Sequence, residues 1–298
     1  MRFVISVLFL ISAVFPLSAA SPFVGRWDIN VPGGRATWLG ITEKAGALEV
    51  WYQPIGAHCY QARAVAVEGS HLLITLNGNL SLDAELVGEK LNIAQKRGNN
   101  VVQVTGLRAP ALNRPEPKKW SKPEPLFNGK DLTGFEPIGD PATSHWIVKD
   151  GYLTNETKGA NLRTVKTFED FKLHFEVNYP DHANSGFYLR GRYEVQLESE
   201  PLDQNPPERR IGAIYGRITP KVELPRTTGV WNTFDVTLVG RTVTIVRNGV
   251  TTIDHQEIEG ITGGALDANE GEPGPFYIQG DHTGGLMFRN ITVSVPAK

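Results

Sequence analysis

Glu194-Val195-Gln196-Leu197-Glu198 places two carboxylates and an amide at every second residue. Alternate residues of a strand share a face, so these three side chains point the same way. Counting back by twos adds Arg192, Arg190 and Tyr188 to that face, while Phe187, Leu189, Tyr193, Val195 and Leu197 take the other. The apolar set asks for a core; the polar set suits water or a ligand. Two carboxylates are what ordinary glycoside hydrolysis needs, about 5–9.5 Å apart. Residues i and i+4 of a straight strand are about 13 Å apart, so Glu194 and Glu198 meet only if they lean together or a bulge intervenes. A second unit is Gln279-Gly280-Asp281-His282. Histidine titrates near neutral pH and a neighbouring carboxylate can orient it, so Asp281-His282 reads either as an acid–base pair or as a capped turn. Asn184 and Ser185, in DHANSGFY, suit a ligand or the turn itself.

These groups must be carried by strands. KLHFEVNY sets Leu173, Phe175, Val177 and Tyr179 against His174, Glu176 and Asn178. NTFDVTLVGRTVTIVRNGVTTI reads as strands joined at Gly240-Arg241 and at Asn248-Gly249, the latter a strong hairpin signal. GPFYIQGDHTGGLMFRNITVSV adds two more. Regular short strands without a long helical pattern predict a β-sandwich, and only the region near 155–170 leaves room for a short helix. Trp146 reads as core; Trp231, before a strand, is left open between core and sugar platform.

ALNRPEPKKWSKPEPLFNG packs Pro115, Pro117, Pro123 and Pro125 among charges. Proline lacks a donor, so residues 113–124 read as an extended linker between an all-β segment at 21–112 and a sandwich at 125–298. The first segment suits a small antiparallel barrel or sandwich. Its opening FVGRW resembles the start of lipocalin-like barrels. His58, His71, Asp83 and Glu85 read as surface groups there, and Cys59 as a small buried hydrophobe.

The 298 residues, 40% hydrophobic and 21% charged, describe an ordinary globular chain of about two domains. A net charge of -2 offers no basic field for nucleic acid. Arg2, the apolar run from Val4 to Phe15 and Ser18-Ala19-Ala20 read as a signal peptide over residues 1–20, too short to span a membrane and implying a secreted or periplasmic protein. A single cysteine excludes an internal disulfide. No phosphate-binding loop, zinc helix, nucleophile elbow or dinucleotide fingerprint occurs in a supporting context. The oligomeric state is not legible.

Six blocks then match one family in order: PLFNGKDLTGFE, HWIVKDGYLT, ANSGFYLRGRYEVQLES, GAIYG, GVWNTFDVTLVGRTVTIVRNG and IQGDHTGGLMFRNITV. Over about residues 125–298 the chain resembles the 3-keto-disaccharide hydrolases. The resemblance implies a concanavalin-A-like sandwich of two antiparallel sheets, with the polar strand face as the floor of a saccharide cleft. It implies cleavage of glycosides already oxidised to a ketone at C3. The ketone acidifies the C2 proton, a base removes it, and the C1–O bond breaks by elimination before water adds back. Such chemistry needs a base, a partner for the enolate oxygen and an acid for the leaving oxygen, not two paired acids. Retaining sandwich glucanases use a similar Glu-x-Asp-x-Glu strand, but Gln196 stands here in the middle.

On this reading His282 or Glu194 is the base and the other assists the leaving group, with Asp281 orienting His282. A neutral imidazole needs no large shift, whereas a carboxylate must be raised by burial, which favours His282. Arg190, Gln196, Gln279, Tyr215 and Asn184 are expected to bind substrate, although Leu189-Arg190-Gly191-Arg192 would instead suit a tight turn. No cofactor is required; a divalent metal near Glu194, Asp281 or His282 would stabilise an enolate. The alternatives are a non-catalytic carbohydrate-binding module and an ordinary retaining glycosidase.

Overall fold

A computed structural model describes residues 20–200 and 204–297. The signal peptide expected over residues 1–20 lies, but for Ala20, outside the described residues. The fold is all-β and antiparallel, as expected. The strands between Gly25 and Arg108 form one meander whose first member, Gly25–Val31, also pairs with its last, Asn100–Arg108. At the remaining seam the Ala62 N–H donates to Val50 O (2.8 Å) and the Arg63 N–H to Thr75 O (2.9 Å), so consecutive residues join the two free edges. The sheet thereby closes into a barrel, which hides edges that would otherwise invite pairing. Trp27 of FVGRW is wholly buried within it, under the Arg108 guanidinium at 4.3 Å.

The rest of the chain is a two-sheet sandwich. The outer sheet runs, in spatial order, Trp146–Lys149, Tyr152–Asn155, Met287–Ser294, Phe171–Asn178, Asn232–Val239, Thr242–Arg247 and Val250–Glu257, with Glu124–Pro125 on the side of Met287–Ser294. The inner sheet runs Phe135–Pro137, Leu162–Phe168, Gly274–Ile278, Asn184–Leu189 and Tyr193–Glu198. Alternation sends one side of every strand into a shared core, in which Phe175 stacks on Phe187 of the opposite sheet (4.4 Å) and on Phe234 beside it (5.0 Å). Truncating one such ring costs about 3–5 kcal/mol.

The short helix allowed near 155–170 does not form. Tyr152–Asn155 and Leu162–Phe168 are strands, and the described residues contain no helix beyond two short 3-10 turns, Pro141–Thr143 and Pro207–Arg209. Leu162 and Thr164 alternate inward, and the β-branched Thr164, Val165 and Thr167 favour extended backbone. The proline-rich stretch pairs with the C-terminal end of the sandwich chain: Ser121 donates to Val295 O (2.8 Å), and Lys119 O accepts from Ala297 (3.0 Å).

Barrel and sandwich meet tightly. Trp38 and Ala36, from the barrel, belong to the sandwich core. Nearby, Asp28 and Glu270 bring two carboxyl groups together in a buried setting that also holds Arg241 and Arg192. Burial, then the Glu270 charge, holds the Asp28 carboxyl far above the usual carboxylate range. The folded protein therefore keeps a proton there that the unfolded chain releases near pH 4. That stabilisation is complete below the unfolded value and fades as pH rises above it, by at most about 1.4 kcal/mol per pH unit. Asp28→Asn should flatten the fall of urea-unfolding stability between pH 5 and pH 8. Equal slopes for variant and wild type would refute the assignment.

Candidate active site

The Asn184–Leu189 and Tyr193–Glu198 strands form a hairpin in which Tyr188 faces Glu194, Gly186 faces Gln196 and Asn184 faces Glu198. On the other flank Tyr188 pairs with Tyr277. Alternation thus puts Tyr188, Glu194, Gln196, Tyr277 and Gln279 on the face of the inner sheet away from the core, as the sequence pattern requires. That face is roofed by loops. Thr262 Oγ1 accepts from the Glu194 N–H (3.1 Å) and donates to Arg192 O (3.1 Å), and Glu194 O accepts from the Tyr215 N–H (3.0 Å).

Glu194 is only 5% exposed. The Tyr188 hydroxyl donates to its Oε2 at 2.6 Å, and Gln279 Nε2 donates to that hydroxyl at 3.1 Å. In the amide orientation that satisfies both partners, Gln196 donates to Glu194 Oε1 and to Ser185 O, each at 3.1 Å. Tyr188 is clamped by Tyr277, stacked at 3.9 Å, whose own hydroxyl donates to Gly264 O. Gly186 leaves room for the carboxylate: a Cβ there would stand 2.4 Å from Oε1. Burial pushes the carboxyl up to about 7, against the Tyr188 hydrogen bond and the charge of His282, which favour ionisation. A carboxylate in this setting is a base poised near neutral pH.

His282 Nδ1 lies 2.7 Å from Asp281 Oδ1, and the imidazole is 43% exposed. The Asp281 hydrogen bond raises His282 above its ordinary value, more than burial lowers it, and the same bond depresses Asp281. Thr283 ties this loop to the hairpin: Asn184 N–H donates to its Oγ1 (2.8 Å), which donates back to Asn184 O (3.0 Å). Gln279 also supplies a buried Oε1 with no partner among the described residues. Tyr215, whose N–H binds Glu194 O, adjoins this strand, and its phenol is raised first by burial and then by the Glu194 charge. Glu194, Gln196, Gln279, Asp281, His282 and Tyr215 are therefore gathered, with Asn184 bracing the His282 loop.

Arg190 is not among them. The hairpin turns at Arg190 and Gly191, both at positive φ (52° and 70°), which swings Arg190 away from the polar face. It is wholly buried, donating to Gly240 O (2.6 Å) and to the Tyr193 hydroxyl (3.3 Å). Arg192, past the turn, binds Asp267 and Glu272 O. Glu198 does not converge on Glu194: its oxygens accept from Ile211 N–H (3.2 Å) and Glu200 N–H (2.6 Å), beside Arg226. That removes the second acid of a retaining glycosidase. Trp146 is core, donating to Ala160 O, whereas Trp231 lies under Arg289 (4.0 Å). A small cavity of about 40 Å³ between Ile211, Val222, Leu224 and Arg247 does not include the Glu194 face.

Sequence reasoning passed over Tyr188 and Tyr277. Tyr188 was visible in the polar parity, and Tyr277 alternates with Gln279, but their stacking is a cross-strand fact. Among the described residues no three His, Cys, Asp or Glu side chains assemble as a metal site.

Residues 122–294 match the family described as the 3-keto-alpha-glucoside-1,2-lyase-like domain. The chain belongs to this family. It is accordingly a carbohydrate-active protein, and no described helix is long and apolar enough to cross a membrane. Among solved structures, it is 28% identical to a "putative glycosyl hydrolase" from Parabacteroides distasonis ATCC 8503, over 61% of this chain and 92% of that one, with a TM-score of 0.48. It is 13% identical to the carbohydrate-binding module CBM66 from Bacillus subtilis (54% and 96%, TM-score 0.36). It is 12% identical to the laminarinase from Flavobacterium sp. UMI-01 (60% and 100%, TM-score 0.38). No curated protein matches.

Proposed function

We propose that the 3-keto-alpha-glucoside-1,2-lyase-like domain cleaves 3-keto glycosides by elimination and hydration, with Glu194 as base. The observation that carries this reading is the Glu194 carboxyl, buried and held at about 7 between Tyr188 and Gln196. The expected preference for His282 as base assumed a carboxylate near its ordinary value; burial removes that assumption. The raised His282 suits the opposite task, since a larger share of it carries the proton a leaving oxygen needs.

Glu194 takes the C2 proton, and the C–H electrons become the enolate of the C3 ketone. The enolate collapses to expel the C1 oxygen, which takes a proton from His282 while Asp281 holds the imidazolium. Water adds at C1, passing one proton to His282, while C2 regains its proton from Glu194, giving free 3-keto sugar and alcohol with both residues restored. Tyr215, whose phenol stays neutral, is the donor assigned to the enolate oxygen in place of Arg190. Gln279 Oε1 accepts from a sugar hydroxyl. The apolar leader fits a substrate met outside the cytoplasm.

The direct test incubates purified protein with a 3-keto glycoside and with its unoxidised parent. Release of aglycone from the ketone alone is expected. Release from both at similar rates would refute the elimination, and binding of both with release from neither would make this a binding module.

A further inference from the structure

Three parts of the barrel pack against elements that surround the cleft. The first is the loop 54–59. Its Gly56 N–H donates to Gly263 O (2.7 Å), and Gly263 lies so close that a Cβ on it would stand 2.3 Å from Ala57 O. Gln53, fully buried, holds this loop by donating to Pro54 O and Ala57 O, and its Oε1 accepts from Arg217. The second is Trp38, covered by Arg217 at 4.3 Å and pressed against Gly260, where a Cβ would stand 2.4 Å from the indole. The third is the hairpin ending at Arg35, whose charge reaches the Tyr277 hydroxyl.

This docking fixes His58. Its Cβ would lie 3.2 Å from a Cβ on Gly216, the residue after Tyr215, and Gly216 (φ 66°) lets the chain pass. His58 and Tyr215 both feel Arg209 and Glu208, and Tyr215 feels Glu194. The His58 ring is part-exposed and makes no hydrogen bond among the described residues. The side of the cleft is also set. Asp281-His282 is tied to the Asn184 end of the hairpin, whereas Thr262 and Gly264, which carry the barrel loop, sit by Arg192 and Tyr188 at its turn end.

We infer that the barrel is a fixed wall of the active-site cleft, and that His58 recognises the oxidised sugar ring on the side away from the leaving group. The inference rests on the 3-keto reading, because His282 marks where the leaving group goes. A rim hydrogen bond is worth about 0.5–1.5 kcal/mol, or roughly two- to twelvefold in affinity.

The test has two readouts. In a Glu194→Gln variant titrated with a 3-keto glycoside, the ring resonances of His58 and His282 should both shift. His71, paired with Asp83 on the barrel, should not. A His282 shift without a His58 shift overturns the wall while sparing the 3-keto reading; no shift in either overturns both. In the otherwise native protein, His58→Ala should raise KM by about two- to twelvefold, with kcat and Tm little changed and the same penalty for every leaving group. A fall in Tm with KM unchanged would make the barrel a prop, and a penalty that varied with the leaving group would place His58 on the wrong side.

Discussion

Glu194→Gln should lose about 10²–10⁴-fold in turnover of a 3-keto glycoside, the span typical for removing one acid–base group. Substrate binding should survive, because the amide keeps the shape of the carboxylate between Tyr188 and Gln196. The sign of the pH dependence follows from the role. Only ionised Glu194 can accept the C2 proton, so wild-type kcat/KM should rise with pH through about 7, where burial places this carboxyl. The rising limb should vanish from whatever activity the variant retains. Near-normal turnover in Glu194→Gln would remove the residue from the chemistry.

His282→Gln should show a loss of the same order, about 10²–10⁴-fold, but only when the leaving group is an ordinary sugar alkoxide. A leaving oxygen of low basicity, such as a nitrophenolate, departs without a proton, and there the variant should approach wild type. His282 must be protonated to act, and Asp281 raises its value, so the falling limb of the profile belongs to it and should lie above the ordinary histidine value near 6.5. Equal losses for good and poor leaving groups would point instead to His282 as the base.

The strand alternation of residues 185–199 made the polar face legible, and GDHTGG marked the Asp281-His282 loop. Arg190 was misplaced because parity counting assumes a continuous strand, and the Arg190-Gly191 turn breaks it. Glu198 looked equivalent to Glu194 for the opposite reason: both keep the parity, and only the loop at Ile211 and the bend to Glu200 show that Glu198 binds backbone amides. The raised Glu194 carboxyl could not be read from local sequence at all. It depends on burial supplied by residues 260–264 and 211–218, distant in the chain, which turn a surface-like strand face into a low-dielectric one.

The Gln279–Tyr188–Glu194 relay has a stereochemical consequence. Tyr188 and Gln196 each donate to one oxygen of the carboxylate, and Gly186 of the sheet lies against it, so the carboxylate meets the sugar from one side only, with the sheet behind it. On the proposed reaction, the carboxylate that takes the hydrogen from C2 should also return it, on the same face of the ring. Exchange with solvent deuterium should then replace that hydrogen without inverting the carbon, so the keto sugar should leave with the C2 configuration it brought, and an accumulating C2 epimer would refute this.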